Sequence, residues 1–266
     1  MLIDGIIFGW ETDILELRLH ELDSIVDRFI IIESRDYHGS TNIKPTNLRF
    51  NWDIVKPFEH KIEYVLLDKL EPPLRDRNDV WPRENYHRNQ IMPAVLEFAS
   101  PQDILMISDC DEIPRAETIR HNIPRLQNGI CGTRQEMFYY GVTNYVSEWH
   151  GTVAGTVGHI QALGGPQAAR NKRDELPFID NCGWHFSYFG GVDRIVNKVT
   201  NFAHAVDDSA KECLNRGPEE LKADIAAGRD LYHRPGEPMG QRREANDSRL
   251  PAYFLNNPEK FPQFIA

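Results

Sequence analysis

DILMISDCDEIP, residues 103–114, runs from the apolar residues Ile104, Leu105, Met106 and Ile107 straight into Asp109, Asp111 and Glu112. An unbroken apolar run of that kind reads as a strand covered on both faces, as in a parallel sheet packed between helices. In an open α/β sheet, ligands bind in the crevice outside the carboxyl ends of the strands, which is where these acids stand. Two carboxylates one residue apart, next to a third, repel one another unless a cation sits among them. A hard divalent ion such as Mg²⁺ or Mn²⁺ prefers oxygen ligands and usually also holds substrate phosphates, so a nucleoside diphosphate is the expected second partner. The plain structural alternative is an acidic turn leading into a helix, with Pro114 near the first helical position and the acids favoured by the helix dipole.

Working outward, LIDGIIFGW (residues 2–10) reads as a strand. From Asp13 the apolar residues Ile14, Leu15, Leu17, Leu19, Leu22 and Ile25 recur at nearly helical spacing, and RFIIIES (28–34) is a second strand. That βαβ unit implies a parallel pair with a right-handed crossover. Residues 36–57 read mostly as loop, KIEYVLLD (61–68) as a third strand, and a proline-rich loop becomes a helix near Arg83 that Pro93 kinks or breaks. Beyond the acidic loop, NGICGTRQEMFYYGVTNYV (128–146) has the aromatic and β-branched content of further strands, a hairpin or a mixed-sheet edge. QALGGPQAARNKRDELP (161–177) reads as a mobile surface loop that either closes over a ligand or is inert. FIDNCGWHFSYFGG (178–191), two helical stretches and LPAYFLNNPEKFPQF (250–264) follow with no linker, so one domain covering residues 1–266 is expected.

The chain has 266 residues, 41% of them hydrophobic and 26% charged, enough to bury a sizeable globular core. Its formal net charge of -10 argues against a nucleic-acid backbone as partner, which would call for a basic face. No run of about 18 apolar residues suggests a membrane span. Met1 leads directly into LIDGIIFGW without the pattern of a secretory signal, so a cytoplasmic protein is expected, with peripheral membrane contact left open. Cys110, Cys131, Cys182 and Cys213 are widely spaced and form no CxxC pair, as expected of reduced thiols.

Four stretches in series carry a resemblance over nearly the whole length: ETDILELRLHELDSIVDRFIIIES (11–34), SDCDEIP (108–114), GWHFS (183–187) and LPAYFLNNPEKF (250–261). Weaker matches lie at Trp81 with Arg88, at Lys198 and at AAGRDL. In these the chain resembles glycosyltransferase family 17, a group that includes enzymes adding bisecting N-acetylglucosamine. The resemblance implies an α/β fold of the GT-A type, with a mostly parallel central sheet flanked by helices and a mixed C-terminal part. It also implies an inverting, metal-dependent transfer of a sugar, N-acetylglucosamine, from a UDP-sugar. Residues 1–115 would form the nucleotide-sugar-binding half and residues 116–266 the acceptor-binding half.

On that resemblance, Asp109 and Asp111 would hold Mn²⁺ or Mg²⁺ against the donor diphosphate, Asp111 directly, with His185 in GWHFS as third ligand. The alternative for His185 is a core histidine among Trp184, Phe186 and Tyr188. Arg88 and Lys198 are the phosphate candidates, each otherwise a solvated helix charge. Glu33, ending the second strand, would contact the nucleoside or serve as a local cap, and Trp10 would line the same pocket. The general base is left open among Asp180, Glu136, Asp174 and Glu175, with Asp180 preferred for its nearness to His185 in sequence. Phe138, Tyr139, Tyr140, Trp149 and Trp184 offer a sugar-stacking platform, with plain core as the default and Trp149 the best candidate for exposure.

The family's glycoprotein enzymes are membrane-anchored and this chain shows no anchor, so the expected acceptor is a glycan or lipid-linked glycan other than a protein N-glycan. Two competing readings remain. A sugar nucleotidyltransferase would call for a glycine-rich phosphate loop near the first strand, which FGWETD lacks. A carbohydrate-binding protein without catalysis would bind glycan regardless of metal or nucleotide, and the intact DxD argues against it.

Overall fold

Each apolar run up to the acidic loop becomes a strand of one parallel sheet in the computed structural model, which describes residues 1–234 and 240–265. The strands β1 (Leu2–Phe8), β2 (Arg28–Ser34), β3 (Ile62–Leu67) and β4 (Ile104–Asp109) lie in the order β3-β2-β1-β4. Alternate side chains of a strand reach opposite layers, and here both layers are filled. Ile6, Phe8, Ile31 and Met106 pack with the helix Thr12–Leu22, whereas Ile3, Ile30, Ile32, Leu105 and Ile107 pack with the helix Ile91–Leu96. Each fully covered aliphatic side chain contributes roughly 1.5–3 kcal/mol, which holds β1, β2 and β4 between the two layers, whereas β3 at the edge is only half-buried.

The helix expected near Arg83 spans Val80–Asn89, and Pro93 belongs to the separate helix Ile91–Leu96. In that first turn an N–H has no intrahelical partner to lose, so the break falls before the proline, at Gln90. Within residues 36–57 the chain makes two single-turn helices, Asn47–Phe50 and Trp52–Val55.

Past the acidic loop the sheet becomes mixed, with β5 (Glu112–Pro114), β6 (Cys131–Tyr139), β7 (Asn144–Thr156), β8 (Phe178–Ile179), β9 (Gly183–Ser187) and β10 (Gln241–Arg242). β6 and β7 form the expected hairpin, though at the middle of the sheet and not at an edge, because β7 pairs antiparallel with β4 as well as β6. β9 runs parallel to β6 and β5 antiparallel to β9. Only Cys110 and Asp111 separate β4 from β5, although the order β3-β2-β1-β4-β7-β6-β9-β5 puts those two strands far apart in pairing. The sheet therefore curls until its last strand returns beside the end of β4. All ten described strands belong to it, which is the α/β architecture with a mixed C-terminal part that the resemblance implied.

Residues 161–177 correct the reading of a mobile loop. The segment contains the end of the helix Val157–Ala162 and the helix Pro166–Asn171, and Ala169 and Arg170 are buried. Gly164 and Gly165, both at positive φ, turn the chain between the two helices. The C-terminal stretch delivers Phe254, Phe261 and Phe264 to the layer that holds the helix Thr12–Leu22. All four cysteines are free and buried, as expected of reduced thiols.

Candidate functional site

β1 and β4 end level with one another, Ile7 opposite Asp109, and a cavity of ≈ 580 Å³ opens beyond them. Its wall takes Phe8 to Glu11 from the turn after β1, Asp36 to His38 from the turn after β2, and Asp109 to Asp111 from the acidic loop. The C-terminal part completes the lining with Tyr139, Trp149, His185, Tyr188, Lys198 and Tyr232.

Protein cations meet the acids of the loop one by one. Arg18 is wholly buried on the helix Thr12–Leu22 and donates to both oxygens of Asp4, at 2.7 and 2.6 Å, to Ser108 Oγ at 3.0 Å and to the Glu112 carbonyl at 2.6 Å. It thereby ties the backbone of the acidic loop to β1. Arg88 donates to Asp109 Oδ1 at 2.7 Å and to Glu84 at 2.9 Å. Arg170 donates to Asp109 Oδ2 at 3.1 Å and to Glu112 Oε1 at 2.7 Å, and it also reaches the Gly151 carbonyl. Burial pushes the Asp109 carboxyl toward its neutral form, but Arg88 and Arg170 outweigh that and hold its pKa well below the usual carboxylate range.

Asp111 faces a different set. Lys198, on the helix Gly191–Asn201, donates to its Oδ2 at 3.0 Å, and His185 Nε2 lies 3.5 Å from Oδ1. Here too burial favours the neutral acid and is outweighed, by Lys198 and then His185, so Asp111 stays ionised far below its ordinary range. The Lys198 ammonium is driven the other way: burial lowers its pKa, Asp111 with Glu11 and Asp109 more than compensates, and the result is raised.

His185 reaches this point because β5 and β9 pair with Glu112 opposite His185. Gly183 permits that pairing, since its φ is +124° and a Cβ there would lie 2.0 Å from the Ile113 carbonyl oxygen. Trp149 supports the imidazole, with ring centroids 4.8 Å apart, while its Nε1 donates to Glu112 Oε1 at 2.7 Å. The other imidazole nitrogen, Nδ1, is buried without a partner, so the polar contact of His185 with the cavity runs through Nε2.

A divalent ion fits one part of this arrangement. Among the described residues no three His, Cys, Asp or Glu side chains converge as a ready cage. Asp111 and His185 nevertheless present an oxygen and a nitrogen 3.5 Å apart on the cavity wall, two donors that suit a small ion completing its shell with phosphate oxygens and water. Asp109 has both carboxylate oxygens engaged by arginines, which leaves it the role of a fixed anion beside that pair.

The remaining candidates separate cleanly. Trp10 and Lys198 line the cavity; Arg88 lies behind Asp109 and outside the lining. Glu33 is fully buried, accepts from the backbone of Asn47 at 2.7 Å and Leu48 at 3.3 Å and from Tyr64 at 2.8 Å, and so acts as a cap away from the cavity. Asp180 stands in solvent beside Arg134, and Glu136 is held by Arg243; neither lines the cavity. Asp174 pairs with His150 and Glu175 lies near Lys172, both at the exposed surface. Of the aromatic platform, Tyr139 and Trp149 line the cavity, whereas Phe138, Tyr140 and Trp184 are core.

Arg18 and Arg170 are the residues that sequence reasoning missed. Arg18 had a signal, a charge on the apolar face of an amphipathic helix matched by Asp4 inside an apolar strand. Arg170 had none, because its neighbours are polar and small.

The model of glycosyltransferase family 17 matches residues 1–265. Over 124 residues the chain is 32% identical to the beta-1,4-mannosyl-glycoprotein 4-beta-N-acetylglucosaminyltransferases of Rattus norvegicus and of Homo sapiens, a match covering 44% of this chain. It spans 22% of each relative's length. Among solved structures, a 4-diphosphocytidyl-2C-methyl-D-erythritol synthase from Anaerococcus prevotii is similar at a TM-score of 0.42, with 10% identity over 68% of this chain and 86% of that one. Glucosyl-3-phosphoglycerate synthase from Mycobacterium tuberculosis, in complex with UDP, gives a TM-score of 0.39 and 12% identity over 79% and 78% of the two chains. Likenesses that distant carry none of the functional argument. The match along residues 1–265 does: this chain belongs to glycosyltransferase family 17.

Proposed function

We propose that this protein transfers a sugar, N-acetylglucosamine, from a UDP-sugar to a hydroxyl of a glycan acceptor. Family membership supports sugar transfer, and the name of the partial relatives supports N-acetylglucosamine. The observation that carries the reading is the Asp111 carboxylate at the sheet's carboxyl end, with Lys198 Nζ at 3.0 Å and His185 Nε2 at 3.5 Å on one cavity wall. The lining of that cavity combines charged groups with aromatic rings, among them Trp10 and Tyr37, whose centroids lie 6.0 Å apart. A nucleoside diphosphate has the same two-part chemistry.

In this reading Asp111 and His185 would hold Mn²⁺ or Mg²⁺, which would supply positive charge against the donor diphosphate. Lys198 supplies a second cation at the same place without needing to be recruited. Arg88 and Arg170 keep Asp109 ionised and still, so that the Asp111 backbone does not wander. The nucleotide lies against residues of the first half, such as Trp10 and Tyr37, and the acceptor against the tyrosines and Trp149 of the second. Inversion requires a base at the acceptor hydroxyl, and the carboxylates on the lining that arginines do not hold include Glu11 and Asp207.

Calorimetric titration with UDP, with and without Mn²⁺, tests the proposal. Metal-dependent UDP binding that Asp111→Ala abolishes is expected. UDP binding that is indifferent to Mn²⁺ and to Asp111→Ala would overturn the site.

A further inference from the structure

His38 lines the cavity beside Tyr37 and pairs with His87 in a way that dictates proton positions. His87 Nε2 lies 3.0 Å from the Ile32 carbonyl in β2. A carbonyl only accepts, so His87 Nε2 carries the hydrogen and donates it. His87 is neutral, because burial pushes its pKa well below the ordinary value and His38 and Lys44 beside it push the same way. A neutral imidazole protonated at Nε2 has a bare lone pair on Nδ1, and that atom is 3.0 Å from His38 Nε2. His38 Nε2 must therefore be the donor of this second bond.

His38 is neutral as well. Burial lowers its pKa to about 4, with Glu84 opposing and Arg88, Lys44 and Arg83 reinforcing. Its proton is on Nε2, so its Nδ1 is a bare acceptor, the polar ring atom this residue has left for a ligand. Nearby, Lys44, Arg83 and Asp36 are committed to the fold. Lys44 donates to the carbonyls of Phe8 and Ser34, each at 3.2 Å. Arg83 donates to the carbonyls of His38, at 3.2 Å, and Tyr37, at 2.9 Å, and Asp36 accepts from Arg83 at 3.3 Å and the Leu70 backbone at 3.0 Å.

We propose that His38 Nδ1 is the atom that reads the nucleoside of the donor: it accepts a hydrogen bond from a ligand O–H or N–H and disfavours an acceptor at the same place. The inference rests on reading the cavity as a nucleotide-sugar site. Three groups of a uridine nucleotide have the required chemistry, the 2′- and 3′-hydroxyls of the ribose and the N3–H of the base. The relay starting at the Ile32 carbonyl prevents the imidazole from offering a hydrogen instead, so the selection is built in before the ligand arrives. An acceptor placed against Nδ1 would set two lone pairs facing each other, which disfavours it.

The test is calorimetric titration in Mn²⁺ of UDP, N3-methyl-UDP, 2′-deoxy-UDP and 3′-deoxy-UDP against the full chain and His38→Ala. The unaltered protein is expected to bind one analogue, the one lacking the hydrogen that His38 takes, roughly 3- to 10-fold more weakly than UDP. His38→Ala should lose a similar factor for UDP and bind UDP and that analogue alike. ¹⁵N NMR of the unaltered protein, which needs no variant to fold, should show both His38 and His87 protonated at Nε2 and bare at Nδ1. An equal loss for every ligand in His38→Ala, analogues that all bind the unaltered protein as UDP does, or a proton on His38 Nδ1 would each overturn the inference. If UDP binding still depends on Asp111, those results leave the nucleotide reading standing; no UDP binding by the unaltered protein overturns both.

Discussion

Arg170→Met removes the guanidinium that joins Asp109 to Glu112 while leaving most of its bulk. The side chains of Arg170 and Glu112 are 4% and 1% exposed, so the substitution strands a carboxylate where water cannot replace the lost partner. Breaking a buried pair by deleting one member typically costs about 3–5 kcal/mol. Asp109 keeps Arg88 at 2.7 Å, and Glu112 keeps the Trp149 indole N–H at 2.7 Å and the Asp109 amide at 3.0 Å. The lower end, about 3 kcal/mol, is therefore expected, seen as a lower urea midpoint at unchanged slope and a melting temperature lower by roughly 6–12 °C. Adding Glu112→Gln should recover part of the loss, since the stranded charge is then gone and the amide oxygen still accepts from Trp149, although the NH₂ no longer accepts from the Asp109 amide. A loss under about 1 kcal/mol, or a double variant whose loss is the sum of the two single losses, would refute the claim that this arginine balances the acidic loop.

Two further outcomes follow from the same charges. Lys198→Met should weaken UDP binding roughly 10-fold or more, since a charge-assisted bond to phosphate is worth about 1.5–3 kcal/mol; calorimetric affinity equal to that of the unaltered protein would remove Lys198 from the phosphate site. In the folded protein His38 takes a proton only near pH 4, but in the unfolded chain it does so near 6.5, so between those values the unfolded state holds more protons. Stability should fall as pH is lowered through that window, by at most about 3 kcal/mol from His38, and thermal melts that show no such fall, or a fall that His38→Ala leaves intact, would contradict the neutral histidine pair.

The strands β1, β2 and β4 and the helix after β1 were legible because apolar periodicity is a local property of the chain. Any segment such as Ile104–Ile107 must be covered on both faces wherever it ends up. The acids at Asp109 and Asp111 were legible as a sheet-end feature for the same reason, and the family resemblance added the sugar chemistry. Arg18 and Asp4 were half legible, each a charge embedded in an apolar pattern whose cost only a buried partner could offset.

The sequence by itself determined the alternation of strands and helices and the end of the sheet at which the acids stand. Only the tertiary structure decided what neutralises those acids, that residues 161–177 hold a buried arginine and are not a mobile flap, that Glu33 caps a helix, and that Asp180 and Glu136 lie off the cavity. It also decided that His38 Nε2 and His87 Nδ1 lie 3.0 Å apart. The physical reason is that a run of apolar side chains specifies its own burial through spacing along the backbone. A charge or an imidazole specifies only that it needs a partner, and which partner arrives depends on strand order and sheet curl, set by packing across the whole molecule.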